Sequence, residues 1–413
     1  ARKQDLQIRP GVGLTAAQQR GVSPGTLLIF AAAVFMVRAV MLMLGPLLVE
    51  MADDFHTSIA VAGQLAAAIF ITWGITAPLV GPISDTYGRR PVLLIGLLLM
   101  ALGVLGSGVA WSYGSLFATR LITGAGAAMV PPTMMTVLAD NFPSDKVGKS
   151  VGFITGSSWV GVALGVPAIA LLGYIGGWRL PFYIAGSMSL AIWLLLWLCL
   201  PPPQRRPGQR IGLFNRFKVI VRQSEPWYVF IANAAQQSVL LGLTTYFAAY
   251  MMENYGWDEA NTAPGLALLG VGAVIGSFAG GFIAGRARAF DWLGAISLSG
   301  GLVTGLLFAL EADTWLVVTM AFFASALVSV AMPAMTTLVM HLAGESRGTA
   351  VGMFSASNQI GGVVGASAGG LMLSLGGFPA LGLLYLFATV LFASIVWFIM
   401  RRSIVFQLRS VDI

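Results

Sequence analysis

Twelve apolar stretches of about 20 residues or more follow one another along the chain, each divided from the next by a short polar or Gly/Pro break. A bilayer core about 30 Å thick is crossed by about 20 apolar residues in a helix, and only helices or closed barrels satisfy their own backbone there. The chain is therefore read as an all-α integral membrane protein with twelve transmembrane helices. Composition agrees: 57% of the 413 residues are hydrophobic and 9% charged, where soluble domains carry about 25% charged residues.

Spans 1 to 6 are predicted at Thr26–Glu50, Ile59–Val80, Pro91–Ala110, Ser115–Ala139, Ser150–Leu172 and Leu180–Leu200. Spans 7 to 12 follow at Pro226–Met252, Thr262–Gly285, Phe290–Leu310, Thr314–His341, Gly348–Leu375 and Pro379–Met400. With both termini cytoplasmic, twenty of the 23 Lys and Arg fall on the inner side, as the positive-inside rule requires. The exceptions are Arg179 in an outer loop and Arg38 and Arg120 within spans. The net charge of +7 is thus orientation charge rather than a nucleic-acid surface. Residues 1–25 contain Arg2, Lys3, Arg9 and Arg20 but no apolar run before a small-residue cleavage site, so no cleaved signal peptide is expected. A single cysteine, Cys199, excludes an intramolecular disulfide framework and a Cys-based metal site.

The Pro201-Pro202-Pro203 start and the arginines of residues 201–225 read as a solvated cytoplasmic linker between two six-helix halves, 26–200 and 226–400, flanked by cytoplasmic tails at 1–25 and 401–413. An offset of 200 lays one half on the other: Gly81 on Gly281, Gly152 on Gly352, Gly161 on Gly361, Gly165 on Gly365, and Gly176-Gly177 on Gly376-Gly377. Such internal repeats are common in transporters. The paired glycines of spans 5 and 11 (Gly152, Gly161 and Gly165; Gly352, Gly361 and Gly365) are assigned to close helix packing.

The turn Gly81-Pro82-Ile83-Ser84-Asp85-Thr86-Tyr87-Gly88-Arg89-Arg90 closely resembles the G-x-x-x-D-x-x-G-R-R loop of the major facilitator superfamily. The run Arg120-Leu121-Ile122-Thr123-Gly124-Ala125-Gly126-Ala127-Ala128 is similar to that family's fourth-helix pattern. Arg89-Arg90-Pro91-Val92 and Gly177-Trp178-Arg179 look most like the twelve-span drug:proton antiporter branch. The branch's span-5 signature is incomplete, with Val166 after Gly165, Pro167 one place late, and Ile169-Ala170 where two glycines belong. Arg38 and Pro46 in span 1 resemble cyanate-transporter-like members over a short stretch. The resemblance implies two six-helix bundles that rock about a central site. It makes Asp85 and Arg89, with Gly81, Gly88 and Arg90, a conformational latch of the outward-facing state, and ties Arg120 to coupling or substrate charge. The second-half counterpart, Gly281 to Arg288, has lost the acid.

In that fold helices 1, 4, 7 and 10 line the cavity, so charge in those spans carries functional weight. Arg38 lies twelve residues into span 1, about 18 Å at 1.5 Å per residue, near the midplane. All sixteen acids fall at span ends, in loops or in tails. A guanidinium without a carboxylate partner takes water, backbone carbonyls or a substrate anion, and its planar fork suits carboxylate, phosphate or sulfonate. Arg120 is a second such group, or one that snorkels to the outer surface. Gln236, Gln237 and Tyr246 of span 7 are candidate substrate contacts; Asn358 and Gln359 of span 11 face the cavity or join helices. For proton coupling the candidates are Arg120, His341 and Glu50.

The expected function is alternating-access transport of a small organic molecule, an organic anion by the Arg38 argument, with a proton-driven multidrug or metabolite efflux antiporter as the alternative. The expected setting is the inner (plasma) membrane, as a monomer whose partners are lipid, substrate and a possible coupling proton. No cofactor, metal or nucleic acid is expected. No enzyme activity is expected: there is no His-Glu-x-x-His, and Pro143 stands where a phosphate-binding loop ending at Gly148-Lys149-Ser150 needs glycine.

Overall fold

The computed structural model describes residues 24–141, 153–154, 156–200, 225–284, 289–310, 312–342 and 347–400. Among them every regular element is helical, as hydrocarbon demands of an open chain. Ten helical stretches are long and apolar enough to cross a bilayer. One of these, Gly352–Trp397, carries spans 11 and 12 together, turning at Gly376 and at Gly377, whose φ of 67° favours a residue without a side chain. Span 7, the 31-residue helix Glu225–Tyr255, is long enough at about 46 Å and falls outside the ten because Asn233, Gln236, Gln237, Thr244 and Thr245 dilute its hydropathy. The architecture is thus the twelve-helix one.

The breaks in spans 1 and 10 have one cause. Span 1 runs as Pro24–Leu42 and Leu44–Asp54, and span 10 as Thr314–Ser329 and Ala331–Leu342. Proline has no N–H, and its ring clashes with the carbonyl four residues back. Pro46 therefore releases Leu42 and Pro333 releases Ser329, the residues at which the first segments end. The spans 5 and 11 carry matching irregularities, wide five-residue π turns at Gly161–Gly165 and Val364–Ala368.

Each half packs by the same plan: span 3 lies on spans 4 and 6, span 9 on spans 10 and 12, and spans 1 and 7 run against the π turns of spans 5 and 11. The halves meet through span 2 against span 11, span 5 against span 8, and the second segment of span 1 against span 7. At the end of the bundle holding Asp53 they are in close contact. A Cβ on Gly45 would lie 2.5 Å from the Thr244 carbonyl oxygen, a Cβ on Gly63 would collide with the Tyr246 hydroxyl, and Gln64 Nε2 donates to the Ser367 carbonyl at 3.4 Å.

The stretch expected as a loop after span 2 is shorter than its sequence suggests. Helix continues from Gln64 through Tyr87 despite Pro78 and Pro82, and the reversal is made by Gly88 alone, at φ 95°. The next helix starts at Arg89.

Candidate functional site

Arg38 sits one turn before the break in span 1, partly buried against span 5. Its Nε donates to Ser158 Oγ at 3.3 Å, its Nη1 to Met41 Sδ at 3.6 Å, and its guanidinium lies 5.8 Å from the centre of the Trp159 ring. A hydroxyl, a thioether and an aromatic face surround the charge, and no carboxylate among the described residues pairs with it; the ion pair they contain is Arg179–Asp54. Such partners orient a guanidinium without neutralising it.

Arg120 is held differently. It is 0% exposed, enclosed within the first half between spans 1, 3, 4 and 6. Its Nε and Nη2 donate to Ser107 Oγ at 3.0 and 2.6 Å, Nη2 also to Thr123 Oγ1 at 3.3 Å, and Nη1 to Met43 Sδ at 3.7 Å. The Phe182 ring lies 4.7 Å away. Ser107 Oγ passes its own hydrogen to the Gly103 carbonyl at 2.8 Å, which leaves it free to accept. Full enclosure replaces the snorkelling alternative.

The repeat brings out a correspondence the linear reading missed. A Cβ on Gly161 would lie 2.6 Å from the Phe35 carbonyl and 3.2 Å from Arg38 Cβ; on Gly361 it would lie 2.5 Å from the Ala234 carbonyl and 2.7 Å from Gln237 Cβ. Gly165 seats in the same way against Ala39, and Gly365 against the Ser238 carbonyl. Arg38 and Gln237 thus hold equivalent places in the two halves, one charged and one neutral. Spans 1 and 7 are thus offset by 199 residues, one fewer than spans 5 and 11, and the 200-residue offset of the sequence pairs Arg38 with Ser238 instead.

Around Gln237 the second half gathers amides. Gln236 Nε2 donates to the Val328 carbonyl at the break in span 10. Asn233 Nδ2 donates to Ser357 Oγ at 2.7 Å and to Asn358 Oδ1 at 2.5 Å. Gln359 stands apart, buried against Gly74 of span 2, with Oε1 lacking a protein partner. Tyr246 is also separate: fully buried, it donates to the Ala366 carbonyl at 2.6 Å and forms part of the wall between the halves at the Asp53 end.

At the opposite end, Arg89 Nη1 donates to Ser84 Oγ at 2.7 Å and Arg90 Nη2 to the Trp197 carbonyl at 2.6 Å. Gly81 is exposed with open space beside it. The side chains of Asp85 and His341 lie outside the described residues, although the backbone of each is helical. Gly152 lies outside them altogether, and Gly352 has Pro78 Cα 3.7 Å from its Cβ position.

Glu50 lies far from Arg38 in kind as well as place. With Asp53, Asp54, His56, Trp178 and Arg179 it lines an open basin of about 540 Å³ at the Asp53 end. There Asp54 accepts from Trp178 Nε1 at 3.1 Å and pairs with Arg179 at 2.9 Å. Glu253, one residue beyond the predicted end of span 7, reaches the same end from the other half, beside Ser58, Ile59 and Ala60. Partial desolvation there, and then the negative charge of Asp53, push its carboxyl above the usual carboxylate range. Among the described residues no group of three or more His, Cys, Asp or Glu is placed to hold a metal ion.

A helical bundle of two repeats, with broken spans and unneutralised charge at mid-depth, defines a polytopic membrane carrier. The Major Facilitator Superfamily signature matches residues 30–343 and 266–405, and the chain belongs to that family of transporters. It is 27% identical over 337 residues to multidrug resistance protein 1 of Bacillus subtilis, covering 78% of this chain and 83% of that one. It is 26% identical over 309 residues to the quinolone resistance protein NorA of Staphylococcus aureus, covering 73% and 78%. Among solved structures, a bacterial homologue of the human lysosomal transporter Spinster, inward-facing and unoccupied, superimposes with a TM-score of 0.70 at 19% identity, covering 91% of this chain and 94% of that one. The fold is shared.

Proposed function

We propose that this secondary transporter moves a small organic anion across the plasma membrane by alternating access, and that Arg38 supplies the positive end of its site. The observation that carries this reading is the guanidinium itself: mid-span, partly open, and held among the described residues by Ser158, Met41 and Trp159. A charge kept in hydrocarbon at a cost of several kcal/mol calls for a compensating ligand, and bidentate pairing with carboxylate, phosphate or sulfonate provides one.

In this reading the monomer sits with both termini cytoplasmic, and the Asp53 end is the closed outer mouth. Opening it separates Gly45 from Thr244, Gly63 from Tyr246 and Gln64 from Ser367, while Arg89 and Asp85 latch the inner mouth. Proton-driven multidrug efflux is the second reading, favoured by the names of the two relatives and by the polarizable Met41–Trp159 wall beside Arg38.

Thermal unfolding of the purified protein with panels of organic anions, cations and neutral drugs separates the two. A ligand at 100 times its Kd adds about 2.7 kcal/mol to the folded state. Anions that stabilise the wild type and lose that effect in Arg38→Gln support the anion reading. Stabilisation by cationic or neutral drugs alone, undiminished in Arg38→Gln, replaces it with efflux.

A further inference from the structure

At the break in span 10, the hydrogen-bond donors of span 7 are committed while their oxygens are not. Gln236 Nε2 donates to the Val328 carbonyl. A carbonyl only accepts, so this amide cannot be turned round, and Oε1 points away from that bond. Asn233 Nδ2 donates to Ser357 Oγ and Asn358 Oδ1. Ser357 Oγ gives its own hydrogen to the Phe354 carbonyl at 2.7 Å, so it too can only accept, and the Asn233 amide is fixed as well.

What remains are Asn233 Oδ1, Gln236 Oε1 and Ser329 Oγ, each without a protein partner, on side chains only 1% exposed. Asn233 and Gln236 are three residues apart on one helix face. Ser329 is the last residue of the first segment of span 10, and Val330 after it keeps helical φ and ψ, so the span is kinked here rather than ended. Pro333 withholds the N–H that would otherwise take the Ser329 carbonyl.

We infer that the oxygens of Asn233, Gln236 and Ser329, with the freed carbonyl of Ser329, form a buried site for a compact monovalent cationic group. The group is a sodium ion or the primary ammonium of the transported molecule. The set offers lone pairs and no hydrogen, which selects a cation or a multiple donor. It is also uncharged, which suits a single positive charge; divalent ions take carboxylates. Interrupted transmembrane helices hold coupling ions by such carbonyl ends. The site lies in the half opposite Arg38 and stands whatever ligand Arg38 takes.

The test is thermal unfolding of the purified full chain at constant ionic strength, with choline chloride exchanged for sodium, potassium or methylammonium chloride. A saturable rise with sodium identifies an ion site. A rise with methylammonium alone identifies the ammonium of a substrate. Ser329→Ala removes one oxygen and no carbon, and is expected to raise the half-saturating concentration about tenfold, a change of about 1.4 kcal/mol; Gln236→Met abolishes the response, and Arg38→Gln retains it. Equal melting in all four salts means that buried water satisfies these oxygens and overturns the proposal. So does an unchanged half-saturating concentration in Ser329→Ala, which remains decisive if Gln236→Met fails to fold.

Discussion

Arg120 makes an unusual demand on the first half, and truncating its partner should cost more than removing the charge. In Ser107→Ala the guanidinium loses the oxygen that accepts from both Nε and Nη2, while Thr123 Oγ1 at 3.3 Å and Met43 Sδ at 3.7 Å are too weak to replace it. Hydrogen bonds to a charged group are worth about 1.5–3 kcal/mol each, and leaving a buried charge without its partner costs about 3–5 kcal/mol. Arg120→Met behaves otherwise. It places a flexible thioether chain between Met43 and Phe182, and Ser107 Oγ keeps its bond to the Gly103 carbonyl, so no polar atom is orphaned. The expected cost is about 1 kcal/mol. In the double variant most of the Ser107→Ala penalty vanishes, giving a coupling of at least about 2 kcal/mol. Reversible denaturant unfolding in mixed micelles measures all four corners of the cycle. A Ser107→Ala protein within about 1 kcal/mol of wild type, or a double variant no better than the single, would show that Ser107 does not hold the charge.

The remaining expectations concern packing and pH. Gly361→Ala drives a methyl into the Ala234 carbonyl and Gln237 Cβ and should cost about 1–3 kcal/mol as overpacking, whereas Gly352→Ala, with its nearest neighbour 3.7 Å away, should melt within a degree or two of wild type. Gly63→Ala meets the Tyr246 hydroxyl; it should destabilise the contact at the Asp53 end, and adding Tyr246→Phe should recover part of the loss in the same melting assay. Because the Glu253 carboxyl is raised, its ionisation opposes the folded, closed form. That penalty is absent below the ordinary carboxylate range, grows as pH climbs to the raised value, and is complete above it. Glu253→Gln should therefore raise the melting temperature near neutral pH and leave it unchanged near pH 3.

Most of the twelve-helix plan was legible because lipid enforces one pattern, a continuous apolar run. Span 7 shows the limit of that signal: Asn233, Gln236 and Gln237 weaken its hydropathy, and its place is secured by the repeat and by packing against span 11. Arg38 and Arg120 looked alike in sequence because each is a lone charge in an apolar run. Their difference is tertiary, since only folding brings Ser107 and Phe182 round one and leaves the other partly open. The amides at the span 10 break were visible one by one, but their unmatched oxygens emerge only when each nitrogen has a known acceptor.

The two halves share a scaffold and diverge in what it presents. Gly161 and Gly361 hold span 1 and span 7 at the same close distance, while the proline breaks at Pro46 and Pro333 fall in non-equivalent spans, 1 and 10. On that common frame the first half offers a guanidinium, which only donates, and the second a set of amide and hydroxyl oxygens with lone pairs to spare. A symmetric ligand would gain nothing from this arrangement. If both proposals hold, a molecule with an anionic end and a cationic end, or an anion accompanied by a cation, would give each half its partner. Because the two groups belong to different halves, such a ligand would contact both of the bodies that alternating access moves. Under those proposals a ligand lacking one of the two charges would engage only one half.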